Sequence, residues 1–141
     1  MENKGQFEQP GSISGSGDGD YGGEKLFDLS FLWESGHQDK NFVILMVKGF
    51  LEHTPDSLAK ITAHLKDKSW DRVHGIAHKM KPSIDFMGIK ILKEDIRNIE
   101  KYSDMREVDE AKVTALVQRL NDICESAMQQ LREELSRLSE E

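Results

Sequence analysis

The side chains best suited to chemistry lie in one segment, Val73 to Gly88, which reads VHGIAHKMKPSIDFMG. A step of 100° per residue gathers its apolar side chains into one stripe of a helix and places His78 on the opposite, solvated side. Lys81 follows three residues later, so its ammonium lies on the adjacent helix surface. A neutral imidazole is a nucleophile that can accept a phosphoryl group, and a neighbouring cation stabilises the product. The spacing therefore makes His78 a candidate phosphoacceptor and Lys81 its candidate partner.

The spacing of these residues alone is also compatible with other interpretations of the segment. A row of exposed polar side chains is the ordinary outer face of a helix. His74 and His78, four residues apart, could also hold a zinc ion, but two further ligands at suitable spacing are not evident, so we predict no metal. The sequence has no glycine loop that would cradle phosphates and no paired carboxylates for hydrolysis. We therefore expect no ATP site and no kinase activity of its own.

The elements that position His78 are predicted to be helices. Residues 1–25 are rich in Gly and Ser and predict a flexible tail. Residues 26–141 show helical periodicity and no strand signal, which predicts an all-α, antiparallel four-helix bundle with one or two short extra helices. Helix starts are predicted at residues that suit an N-terminal cap or first turn, namely Asp28, Asp39, Thr54-Pro55, Ser69 and Asp109. The helix that carries His78 should end at Gly88.

The composition of the chain limits the class of partner and the cellular compartment that we expect. The chain has 141 residues and a formal net charge of -7, which argues against nucleic acid as the main partner. A single cysteine, Cys124, cannot form an internal disulfide, and no apolar run is long enough to cross a membrane. We expect a cytoplasmic monomer that binds neither nucleic acid nor membrane.

The candidate segment resembles a known family. The run His78-x-x-Lys81-x-Ser83, preceded by Trp70-x-x-Val73-x-x-x-Ala77, is similar to the histidine phosphotransfer (HPt) family of bacterial phosphorelays. The earlier run Phe50-Leu51-x-x-Thr54-Pro55-x-x-Leu58 resembles the turn between that family's second and third helices, and the similarity covers about residues 27–135.

The resemblance implies a function. It implies that His78 accepts a phosphoryl group from the aspartate of a receiver domain and returns it to another, with Lys81 as electrostatic partner. The expected partners are the receiver domains of hybrid sensor kinases and of response regulators. The chain would need no cofactor, because the receiver supplies the magnesium ion. The alternative is a non-catalytic adaptor or dimerisation module, built on the long last helix.

One position departs from the family pattern, which has glycine where this chain has Pro82. Proline cannot donate to the carbonyl of His78 and crowds it, so we predict a helix that continues through Pro82 with a bend. Phe86 either points outward as a contact for the receiver or is turned inward or covered. The residues predicted to form the docking surface are His74, Lys79, Pro82, Ser83, Asp85 and Phe86.

Overall fold

The computed structural model describes residues 24–140, and the part of the chain that it describes contains helices and no strand. The helices are α1 (Ser30–Ser35), α2 (Lys40–Lys66), α3 (Trp70–Phe86), α4 (Lys93–Ser103) and α5 (Glu110–Ser139), with a 3₁₀ turn at Lys90–Leu92. The predicted all-α bundle with short extra helices is confirmed. Most of the predicted tail, residues 1–23, lies outside the described residues.

The four long helices pack in a closed ring. Helix α3 packs against α2 and α4, and α5 packs against the same two helices, so α3 and α5 lie diagonally across the bundle. The stripe predicted for α3 is buried, and each neighbouring helix contributes fully buried aliphatic side chains to the same core. Buried members of this core include Val43, Val47 and Ile61 of α2, Val73, Ala77 and Ile84 of α3, Ile96 and Ile99 of α4, and Val117, Leu120 and Ile123 of α5.

The predicted helix start at Thr54-Pro55 is wrong. Helix α2 runs without interruption from Lys40 to Lys66 and contains Pro55. The physical reason is packing, because Phe50, Thr54 and Leu58 recur every four residues and all three side chains are buried in the bundle. Burial of this stripe outweighs the hydrogen bond that a proline removes. The run that resembles a turn of the family is therefore the interior of a helix.

Two other predicted N-terminal caps are confirmed. The Asp39 side chain accepts a hydrogen bond from the backbone N–H of Asn41 at the start of α2. The Asp109 side chain accepts one from Lys112 at the start of α5. A short acidic side chain at this position satisfies one of the N–H groups that the first helical turn leaves unpaired.

Helix α3 continues through Pro82 to Phe86, which confirms the predicted continuation, while the bend at Pro82 stays a prediction. Gly88 follows with a φ of +63°, a backbone conformation that residues other than glycine rarely adopt. A Cβ at Gly88 would also lie 2.2 Å from the carbonyl oxygen of Asp28. Only glycine therefore allows the N-terminal segment to pass so close to the end of α3.

That N-terminal segment, residues 24–29, is tied to two helices. The backbone N–H of Leu26 donates to Oε1 of Gln130 in α5, at 2.7 Å. The backbone N–H of Asp28 donates to the carbonyl of Met87, just after α3, at 3.0 Å. Since Leu26, Phe27 and Leu29 are all buried in the core, the segment is part of the folded bundle.

Candidate functional site

His78 lies midway along α3 with 65% of its side chain exposed. On one side of it, towards α4, lie His74, Lys81 and Asp85, which we call the α4 flank. On the other side, towards α2, lie Lys79, Pro82, Ser83 and Phe86, which we call the α2 flank. The predicted exposure of His78 is confirmed, and the six predicted docking residues divide between the two flanks.

The imidazole of His78 is held by an acidic residue of the neighbouring helix. Nδ1 of His78 lies 2.6 Å from Oε2 of Glu100 in α4. An ionised carboxylate can only accept a hydrogen bond, so Nδ1 carries the proton and donates it to Glu100. In the neutral ring the lone pair is then on Nε2. The contact thus fixes both the orientation of the ring and the nitrogen that is free to act as a nucleophile.

Lys81 binds the second oxygen of the same carboxylate. Its Nζ donates to Oε1 of Glu100 at 2.6 Å, so one carboxylate connects the imidazole and the ammonium. These hydrogen bonds, first from Lys81 and then from His78, lower the pKa of Glu100 below its usual range, although its partial burial acts in the opposite direction. With only 16% of its side chain exposed, Glu100 is a held group rather than a freely moving surface charge.

The remaining side chains of the α4 flank also have partners. Nδ1 of His74 donates to the backbone carbonyl of Glu100 at 2.7 Å. The carboxylate of Asp85 accepts a hydrogen bond from Nη2 of Arg97 at 2.8 Å, which raises the pKa of that guanidinium. Each of these contacts joins α3 to α4, so the flank is a row of interhelical polar bonds.

The α2 flank is different, because three of its four side chains border a groove between α2 and α3. This groove has a volume of about 210 Å³ and is lined by Lys79, Ser83 and Phe86 together with Leu45 and Phe50 of α2. Lys79, Pro82 and Ser83 are exposed. Phe86 is 37% exposed.

One face of the Phe86 ring is covered by an aromatic ring from another helix. Phe31 of α1 stacks on it with ring centroids 5.6 Å apart and an angle of 6° between the planes. Phe31 itself is 52% exposed. The two aromatic side chains therefore form one partly exposed surface at the end of α3.

Sequence reasoning missed Glu100 as a residue of the site. A signal was present, because Glu100 directly follows Ile99 and lies four residues after Ile96, which places it at the border of the apolar stripe of α4. An acidic residue at such a border faces a neighbouring helix. Which helix it faces depends on the packing order, which the sequence pattern does not define.

The family comparison agrees with this geometry. The model of the Hpt domain family matches residues 45–141. Since this is well over half of the chain, the protein belongs to the Hpt domain family. Such domains are phosphocarriers that interact with receiver domains in phosphorelays. The match begins within α2, so α1 and the segment before it lie outside the matched residues.

The other comparisons give no further relatives. Neither the search of curated proteins nor the search of solved structures returns a significant match. Within residues 24–140, no group of three or more His, Cys, Asp or Glu side chains is placed to hold a metal ion. None of the helices described has the length and apolar character needed to cross a membrane.

Proposed function

We propose that the protein carries phosphoryl groups between receiver domains on Nε2 of His78, with Glu100 as a positioning residue and Lys81 as the stabilising cation. The observation that carries this proposal is the 2.6 Å contact between Nδ1 of His78 and Glu100, at the exposed centre of α3. This contact leaves Nε2 as the unprotonated nitrogen of a ring that solvent, and therefore a partner, can reach.

The transfer step balances without any further reactant. The lone pair of Nε2 attacks the phosphorus of an aspartyl phosphate on the receiver, the N–P bond forms, and the P–O bond to the aspartate breaks. The receiver regains a free carboxylate, and no proton has to leave the imidazole. The phosphorylated ring keeps its Nδ1–H and carries positive charge, which the carboxylate of Glu100 stabilises. The reverse reaction delivers the phosphoryl group to a second receiver.

Lys81 supplies positive charge where the phosphoryl group arrives. It lies one helical turn from His78, so its flexible side chain can reach phosphoryl oxygens while it stays close to Glu100. The ammonium has three donors, and the contact with Glu100 uses one of them. Because Glu100 holds Lys81 beside the imidazole before transfer, the cation is already in place when charge develops.

The partners in this proposal are receiver domains of hybrid sensor kinases and of response regulators. Each receiver would contribute the magnesium ion and the acidic pocket, so this protein would need no cofactor and no ATP site. We also propose a monomer in a reducing, cytoplasmic setting. The single cysteine, Cys124, fits that setting because one thiol cannot form an internal disulfide. Burial raises the pKa of this thiol to about 12.

The direct test is phosphotransfer from receiver domains that have been charged with acetyl phosphate. Wild-type protein should acquire an acid-labile, alkali-stable phosphoryl label, and His78→Gln should acquire none. His74→Gln is the matched control, since it removes the other histidine of the same helix face and should still be labelled. Label on His74 would overturn the assignment of His78 as phosphoacceptor, whereas no label on the wild type from any receiver would leave only the adaptor or dimerisation role.

A further inference from the structure

Glu100 is bound by α3 through both its side chain and its backbone. Its carboxylate contacts His78 and Lys81, and its carbonyl oxygen accepts a hydrogen bond from Nδ1 of His74 at 2.7 Å. His74, His78 and Lys81 are spaced by four and three residues, so they form one row along the side of α3 that meets α4. Within this row His74 binds the backbone of Glu100 rather than its carboxylate.

The carbonyl of Glu100 needs a side-chain donor because α4 ends just beyond it. In a regular α-helix this carbonyl would accept from the backbone N–H of Asp104, four residues later. The N–H of Asp104 bonds instead to the carbonyl of Lys101. The hydroxyl of Ser103 approaches the carbonyl of Glu100 to 3.3 Å, whereas Nδ1 of His74 lies at 2.7 Å. His74 is therefore the closer side-chain donor to a carbonyl that has lost its usual backbone partner.

From this arrangement we infer that His74 is a positioning residue for phosphotransfer, which holds the end of α4 so that the carboxylate of Glu100 meets Nδ1 of His78. The inference rests on the proposed function, in which Glu100 orients the imidazole of His78. His74 acts only through Glu100 and touches neither the reacting nitrogen nor the phosphoryl group.

The backbone of Glu100 needs to be held because it determines where the carboxylate lies. Glu100 is among the last four residues of α4, and the last turn is the part of a helix that frays most readily. A shift of about 1 Å would lengthen the 2.6 Å contact with His78 beyond the range of a hydrogen bond. Because His74 and His78 belong to the same helix, the bond from His74 fixes the carboxylate relative to the imidazole.

The contribution of His74 is a hydrogen-bond donor at a fixed distance from α3. A carbonyl can only accept, so Nδ1 of His74 carries a proton whether the ring is neutral or protonated. The amide nitrogen of asparagine lies as many bonds from the backbone as Nδ1 of histidine and can donate in the same way. Asparagine should therefore replace His74 in this role, whereas alanine and leucine should not.

The first test measures the maximal rate of transfer from receiver domains charged with acetyl phosphate. His74→Ala should lower this rate roughly three- to tenfold, the effect of one hydrogen bond, and leave the half-saturating receiver concentration unchanged. His74→Asn should recover most of the rate, and the label should remain on His78 in each variant. Arg119→Gln is the matched control with a wild-type rate, because it breaks an ion pair with Asp95 that joins α4 to α5 rather than to α3.

A double-mutant cycle tests whether His74 acts through Glu100. Once Glu100→Ala has removed the carboxylate, the addition of His74→Ala should slow transfer no further. The tautomer of His78, read from the NMR shifts of its ring nitrogens, gives a second measurement. The proton should lie on Nδ1 in the wild type and in His74→Asn, and should move partly to Nε2 in His74→Ala.

The outcomes separate the inference from the proposed function. Additive losses in the double variant, or wild-type rate and tautomer in His74→Ala, overturn the inference alone. A higher half-saturating receiver concentration at an unchanged maximal rate would make His74 a docking residue and would also overturn it. Absence of transfer in the wild type overturns both. Thermal melting establishes that each variant is folded, and His74→Leu, which keeps bulk without a donor, replaces His74→Ala if the latter does not fold.

Discussion

The two flanks of His78 belong to one helix and differ in how their side chains are bound. On the α4 flank, Lys81 and the imidazole itself share the carboxylate of Glu100, so the chemistry is arranged before any partner arrives. On the α2 flank, exposed apolar side chains line an open groove. Under the proposed function this difference would be a division of labour, in which the α4 flank sets the reactivity of His78 and the α2 flank is open to a partner.

The largest effect should come from removal of the carboxylate at the α4 flank. Glu100→Ala leaves the Nδ1–H of His78 without its acceptor and Lys81 without its anchor. A hydrogen bond to a charged group contributes about 1.5–3 kcal/mol, so transfer should slow on the order of tenfold to a hundredfold. Glu100→Gln, which can still accept from Nδ1, should be less impaired.

The measurement is the maximal transfer rate at saturating receiver. If the division of labour is real, Glu100→Ala changes this rate and leaves the half-saturating receiver concentration near its wild-type value. An equal loss in the half-saturating concentration would mean that Glu100 contributes to docking, and the separation of the flanks would fail.

A smaller effect is expected from Lys81→Ala. Loss of the ammonium should slow transfer on the order of tenfold, or shorten the life of phosphorylated His78 in proportion, through loss of one charge-assisted hydrogen bond. Lys79→Ala is the matched control, because it removes the same charge from the α2 flank, two positions earlier. Lys81→Arg should restore part of the rate, since a planar fork replaces a point charge. Equal effects of the two alanine variants on the maximal rate would contradict the comparison.

On the α2 flank, Phe86→Ala separates packing from docking. The ring is partly exposed and stacked only on Phe31, so its loss should lower the free energy of unfolding by about 1 kcal/mol, well below the cost of emptying a core site. Chemical denaturation measures this quantity. A loss of 3 kcal/mol or more would show that the ring is a core element and would remove it from the docking surface.

The smallest expected effect is a change in stability with pH. The pKa of Glu100 is lowered on folding, so its contribution is fully present above its ordinary value of 4.5 and is lost as the pH falls through the lower, folded value. The difference in melting temperature between wild type and Glu100→Gln should therefore narrow as the pH falls below about 4.5. A difference that stays constant through this range would show that Glu100 is not stabilised as the carboxylate.

The sequence predicted the helix that carries the site better than the surroundings of that helix. Periodicity alone gave the buried stripe of α3, the exposed position of His78 and the end of the helix near Gly88, because these depend on local geometry. The predicted helix start at Thr54-Pro55 was wrong because the local signal of a proline after a capping residue was outweighed by burial of Thr54 between the helices. Glu100 and Phe31 were not foreseen as neighbours of α3, since such contacts depend on how separate helices pack.

The attachment of the N-terminal segment determines where the chain can be tethered. Gln130 holds Leu26 against α5, and α5 lies diagonally across the bundle from α3. A chain that is anchored to a surface, or fused to another protein, just before residue 24 would therefore be joined on the α5 side of the bundle, away from α3. His78 would face outward from the support, so the immobilised protein could be loaded and unloaded by receivers in the surrounding solution.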